Sequence, residues 1–137
     1  MNKKMDNKGF SLVELIVVIA IMAVLIGVLA PQFIKYVEKS KESTDITNLD
    51  TCVSAAKVYF TDHKKSTSGD ITIIPDGNDV YKCNTPAALD DVKAGSTKVK
   101  GNWSTKPSAT INETTWEVTY TGESDYYTAS GDRFNTK

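Results

Sequence analysis

Residues 8–34 read KGFSLVELIVVIAIMAVLIGVLAPQFI, and the rest of the chain has to be fitted around them. Between Phe10 and Ile34 the only clearly polar side chains are Ser11, Glu14 and Gln32. About 25 residues at 1.5 Å each reach further than a hydrocarbon core of roughly 30 Å. Buried inside a small domain, the same segment would need apolar cover on every side. The roughly 100 residues that follow are too hydrophilic to supply it. Residues 10–34 are therefore expected to span a membrane as a helix.

Lys3, Lys4 and Lys8 precede the apolar run, which keeps the N-terminus cytoplasmic and sends the remainder outside. A secretory signal shares the basic start, but its small-residue cleavage site follows the apolar run. Here the run ends in Leu29-Ala30-Pro31-Gln32-Phe33, with no such site. The recognisable junction lies before it, at Lys8-Gly9-Phe10.

The mean hydropathy of −0.28 averages two unlike parts, an apolar N-terminal segment and a hydrophilic remainder of the 137 residues. The net charge is −1 from 16 basic and 17 acidic residues. Without residues 1–9, which hold three lysines and Asp6, 13 basic and 16 acidic residues remain, a net charge of −3. Such a chain lacks the broad basic surface that nucleic-acid binding calls for. A local basic strip is not excluded.

KGFSLVEL followed by an apolar helix with Pro31 near its end resembles the N-terminal signal of type IV pilins and the related pseudopilins. The resemblance covers roughly the first third of the chain. It implies a leader, residues 1–9, cut off between Gly9 and Phe10 by a prepilin peptidase at the cytoplasmic face. The same enzyme would methylate the new amino group of Phe10. The apolar segment would stay on the mature protein, first as membrane anchor and later as filament core. Glycine suits the scission point because no Cβ obstructs close approach to the backbone.

A carboxylate such as Glu14 on a spanning helix costs on the order of 2.5–3.5 kcal/mol at the bilayer centre. The resemblance supplies a partner, the charged amine of Phe10 on a neighbouring subunit, and a role in setting axial register between subunits. Pairing two buried charges favours register more than stability. The alternative places Glu14 in the headgroup region, paired with water or Lys8. Pro31 removes one intrahelical hydrogen bond and crowds the preceding turn, so a bend or loosening is expected between Gly27 and Pro31.

Residues 35–64 contain no glycine or proline. Ile46, Leu49, Val53, Ala56 and Phe60 recur at steps of three and four, one face of an amphipathic helix. Lys39, Lys41, Glu42, Asp45, Asp50 and Lys57 are assigned to the solvated surface. The polar run from His63 to Gly69 is expected to stop the helix. Beyond it, expected strands cover 71–74, 80–83, 97–103, 109–112 and 115–121, with a last one at 126–129. Pro75-Asp76-Gly77-Asn78 and 104–108 are read as turns, 86–92 as a helical turn or loop, and 131–137 as an exposed tail. In 115–121, Trp116, Val118 and Tyr120 alternate with polar residues, which predicts an inward face. The expected fold class is α+β, the pilin fold that the resemblance also implies. Its long N-terminal helix is apolar and then amphipathic, and the amphipathic half lies on a small antiparallel sheet of three or four strands within a head at 65–137.

Cys52 and Cys83 are the two cysteines. Outside the cytoplasm they can form a single intrachain disulfide, closing a loop of roughly 30 residues worth about 3–4 kcal/mol in the chain-entropy model. The alternative is two buried thiols. Family disulfides usually bound a C-terminal loop, and Cys52, within the helix, departs from that pattern. Asp70, Asp76, Asp79, Asp90 and Asp91 do not have EF-hand spacing and read as turn residues, so no metal site is assigned. No cofactor and no catalytic residue are expected, since the single His63 lacks a positioned nucleophile. Asn102-Trp103-Ser104 and Asn112-Glu113-Thr114 fit the glycosylation sequon, a pattern common by chance.

The resemblance implies a homopolymeric surface filament made with the pilus assembly machinery, and an association with adhesion, aggregation, biofilm and twitching motility. A pseudopilin of a secretion or DNA-uptake machine is the alternative with the same N-terminus.

Overall fold

The structure, a computed structural model, describes Gly9 and residues 11–63, 69–92 and 98–137. Phe10, the leader lysines, the run 64–68 and Thr97, all assigned roles or elements above, lie outside the described residues. Secondary structure begins with one helix, α1 (Leu12–Asp62). Six strands follow among the described residues, β1 (Ile71–Pro75), β2 (Tyr81–Cys83), β3 (Trp103–Ile111), β4 (Val118–Ser124), β5 (Tyr127–Ser130) and β6 (Arg133–Thr136). A short 3-10 helix, Pro86–Leu89, follows β2. The chain divides into two compact units, Met1–Tyr36 and Val37–Lys137.

In the first unit every described residue is exposed, including all the large apolar ones from Leu12 to Tyr36. Its helix runs without interruption through Gly27 and Pro31, so the loosening expected there does not take the form of a helix break.

The second unit is built on a sheet of order β2-β1-β3-β4-β5-β6, antiparallel throughout. That is two or three strands more than expected. The region 104–108, read as a turn, lies inside β3, because Pro107 sits where the β3–β4 register slips and so needs no ladder N–H. Gly122 faces it: a Cβ there would lie 3.0 Å from the Pro107 Cα and 2.8 Å from the Phe134 ring. The stretch 131–137, read as a tail, contains β6, which pairs with β5 from Tyr127↔Thr136 to Ser130↔Arg133. Gly131, at φ +63, makes the tight reversal between them. The strand expected from Thr115 begins only at Val118, since residues 112–117 form a closed turn.

The face of α1 turned to the sheet carries Leu49, Cys52, Val53, Ala56 and Phe60. They pack in one core with Ile71 and Ile73 of β1, Tyr81 and Cys83 of β2, Ala88 and Leu89, and Ala109 and Ile111 of β3. Ile46, expected with them, is only half-buried. Upstream the buried face is continued by two carboxylates, Glu42 and Asp45, which the charge pattern had assigned to solvent. On an exposed face of the helix, Thr44, Thr47, Thr51, Ser54 and Thr61 each donate a hydroxyl hydrogen bond to the carbonyl four residues back, at 2.7–3.0 Å.

Candidate functional site

The helix start is fixed by two reciprocal bonds. The Glu14 amide donates to Ser11 Oγ at 3.2 Å, and the Ser11 amide donates to Glu14 Oε2 at 3.0 Å. This is a capping box, satisfying two of the amides that a helix N-terminus leaves without partners. Ser11-Leu12-Val13-Glu14 ahead of an apolar run is the S-x-x-E signature of this cap, a signal the sequence reading above does not use. Helical structure therefore begins at Leu12, and Gly9 lies outside it, exposed, with nothing within 4 Å of where a Cβ would be. From Leu12 to Ile34 the helix presents apolar side chains on all sides, none of them covered.

Within the second unit, the segment entering β3 is held to the helical residues after Val37 by a carboxylate clamp. Glu38, Glu42 and Asp45 stand on successive turns of α1. Asp45, 1% exposed, accepts from the Lys100 amide (2.9 Å, Oδ1), the Gly101 amide (2.7 Å, Oδ2) and Trp103 Nε1 (2.8 Å, Oδ2). Glu38 Oε1 accepts from the Asn102 amide at 2.5 Å. Four successive residues leading into β3 are thus gripped from one helix face. Charge-assisted bonds of this kind are about twice as strong as neutral ones. Glycine is required at 101, because a Cβ would meet Glu42 Cγ at 2.5 Å and Asp45 Oδ2 at 2.9 Å.

Glu42, 0% exposed, accepts from Ser124 Oγ through Oε2, while its Oε1 has no partner among the described residues. Burial pushes its carboxyl above the usual carboxylate range; the Ser124 bond opposes this, and Glu38, Asp125 and Asp45 add to it. Ser124 Oγ in turn accepts from the Tyr126 and Tyr127 amides, which shapes the turn between β4 and β5.

Cys52 and Cys83 are both buried in the core as thiols. Cys83 Sγ donates to Asn84 Oδ1 and accepts from the Thr85 amide, both at 3.5 Å. Burial, and then the nearby Cys83, push the Cys52 thiol up to about 11. Among the head aspartates, Asp76 behaves as a turn residue. Asp76 Oδ1 accepts from the Asn78 and Val80 amides, bonds that lower its carboxyl, while Asp79 pairs with Lys106 and Asp70 accepts from the Glu113 amide. His63 stacks on Tyr59.

The family model for the prokaryotic N-terminal methylation motif matches residues 4–30. The "Type IV major pilin protein PilA" of Myxococcus xanthus is 34% identical over 87 residues, 62% of this chain and 40% of that protein. The "Type IV wide pilus major component PilA4" of Thermus thermophilus is 29% identical over 91 residues, 66% of this chain and 70% of that protein. Both alignments run far past the matched motif, so homology to type IV major pilins extends into the head, and one long helix with an antiparallel sheet is the α+β arrangement of the pilin fold. The chain spans less than half the length of the Myxococcus protein. No solved structure matches.

Proposed function

We propose that this chain, homologous to type IV major pilins, is a structural subunit of a type IV pilus and not an enzyme. One observation carries this: a helix exposed and apolar on every side from Leu12 to Ile34 directly follows a prepilin-type N-terminus. Water cannot cover such a surface without a large penalty. Lipid covers it in the precursor, anchored once in the cytoplasmic membrane with its N-terminus inside. Equivalent helices of neighbouring subunits cover it in the extracellular filament.

Residues 1–9 form the leader, removed by the prepilin peptidase between Gly9 and Phe10, and Phe10 carries the methylated amine. The capping box supports this, because it leaves Gly9 outside the helix, where a protease can take the backbone in extended form. Glu14 then offers its carboxylate to the Phe10 amine of an adjoining subunit and sets axial register. Gly27 and Pro31 mark where the helix yields most easily during assembly. Cys52 and Cys83 join as a disulfide once an extracytoplasmic thiol oxidant accepts the two electrons. Adhesion, aggregation, biofilm and twitching are the uses such a filament would serve.

The test is N-terminal sequencing and intact mass of the protein recovered from cells, with electron microscopy of the surface. A start at methylated Phe10 and long fibres containing the chain are expected. An uncut anchor, or a secreted form lacking residues up to Ala30, refutes the proposal. Correct processing without long fibres points to the pseudopilin alternative.

A further inference from the structure

A groove of about 920 Å³ lies in the second unit between α1 and the sheet. It exists because β4 meets β5 in register only at Glu123↔Thr128, apart from one bond of 2.8 Å from the Tyr120 amide to the Gly131 carbonyl. The start of β4 and the β5–β6 hairpin therefore diverge, and the helix face carrying Asp50 and Lys57 closes the far side.

Trp116 stands in this lining. Its backbone is left-handed at φ +60, a conformation that is sterically unfavourable for a bulky residue. Asn112 enforces it. Asn112 Oδ1 accepts from the Thr114 and Thr115 amides at 2.9 Å, its carbonyl accepts from the Trp116 amide at 3.0 Å, and its own amide donates to the Glu117 carbonyl at 2.9 Å. The indole held in this way is 39% exposed. It takes no part in the core cluster, and no ring contact involves it among the described residues. A strained, partly exposed aromatic outside the core is a poor device for stability and a suitable platform for something outside the chain.

The surroundings narrow what that is. Tyr120 Oη donates to Asp50 Oδ1 at 2.6 Å, which fixes the carboxylate. Asp50 Oδ2 makes no hydrogen bond and Lys57 no ion pair among the described residues, so both can serve a ligand. Lys57 and Arg133 are set against Asp50, Glu117 and Asp132. Mixed charge of this kind suits neither a polyanion, which needs positive excess, nor the uniformly apolar helix of a second copy. It suits a neutral molecule with one apolar C–H face for the indole and a rim of hydroxyls for the charged groups. The volume lies at the upper end of the roughly 300–1,000 Å³ of small-ligand clefts. We propose that this groove binds a neutral oligosaccharide, with Trp116 stacking on a sugar ring and Asp50 and Lys57 bonding its hydroxyls. The site does not depend on pilus assembly, since every residue in it belongs to one chain.

The experiment uses the full-length chain in a sugar-free zwitterionic detergent and a panel of neutral trisaccharides of glucose, mannose, galactose and N-acetylglucosamine. Saturation-transfer NMR reads binding, and tryptophan emission with iodide quenching reads burial of the indole. At least one trisaccharide should bind at millimolar concentration and shield Trp116. Trp116→Ala should abolish that binding, and Asp50→Asn and Lys57→Ala should each weaken it about tenfold, with thermal midpoints within a few degrees of wild type. No saturation transfer from any of the panel overturns the proposal. So does sugar binding that survives Trp116→Ala, or shielding of Trp116 that appears only when copies associate.

Discussion

Removing the Asp45 carboxylate should be among the most damaging single changes to the head. Asp45→Ala leaves the Lys100 and Gly101 amides and the Trp103 indole N–H aimed at empty space. Each buried donor without an acceptor costs about 1–3 kcal/mol. Lys100 is exposed and Gly101 and Trp103 are only half-buried, so water restores part of the loss, and about 3–5 kcal/mol is the expected net effect of three such donors. For a unit of roughly 100 residues this lowers the melting midpoint by on the order of 15–30 °C. Asp45→Asn keeps the shape but turns an NH2 group towards N–H donors and should lose nearly as much. The assay is thermal unfolding of the full-length chain in detergent, followed by near-ultraviolet circular dichroism, with Trp103 as reporter of the clamp. A loss under about 1 kcal/mol in both variants would show that the loop entering β3 is held by packing, not by the carboxylate.

Glu42 gives a pH signature. Its folded-state pKa is raised, so its contribution to stability is fully present below the ordinary carboxylate value and is lost as pH rises through the higher folded value. Wild type should therefore lose stability across that interval, and Glu42→Gln, which mimics the protonated form, should show a flatter profile in melts run at stepped pH; equal slopes refute the assignment. Gly101→Ala should destabilise the head by about 1–3 kcal/mol through overpacking against Glu42 and Asp45, with faster hydrogen exchange at residues 100–103, and an unchanged midpoint counts against the close contact. Glu14→Ala should still be processed but give few filaments. Ser11→Ala, which removes about 0.5–2 kcal/mol of capping and keeps the carboxylate, should assemble far better, and equal yields from the two variants in sheared-pilus preparations would argue against a register role.

The sequence and the structure diverge where local pattern is ambiguous. The apolar run, the long helix and the stripe from Leu49 to Phe60 were legible because a period of three and four over several turns admits few other readings. Glu42 and Asp45 were misplaced because carboxylates are rarely buried without partners, and their partners, Ser124 for the first and the amides of Lys100 and Gly101 with the Trp103 indole for the second, lie more than fifty residues away. Pro107 and its serine neighbours imitated a turn inside β3, since proline marks both turns and strand irregularities. Trp116 fitted an alternating strand by composition. Its side chain points elsewhere because Asn112 closes the loop first, and hydrogen bonds of that kind carry no periodic signal.

The hydroxyls along the outer face of α1 have a consequence for whatever touches it. Thr44, Thr47, Thr51, Ser54 and Thr61 lie at steps of three and four, with the exposed Val58 completing the row, and each hydroxyl hydrogen is committed to a carbonyl of its own helix. What remains outward is methyl groups and oxygen lone pairs. Such a seam can receive protons but has few to give, so a partner rich in N–H groups would adhere along it, while one that offers only oxygens would slide past.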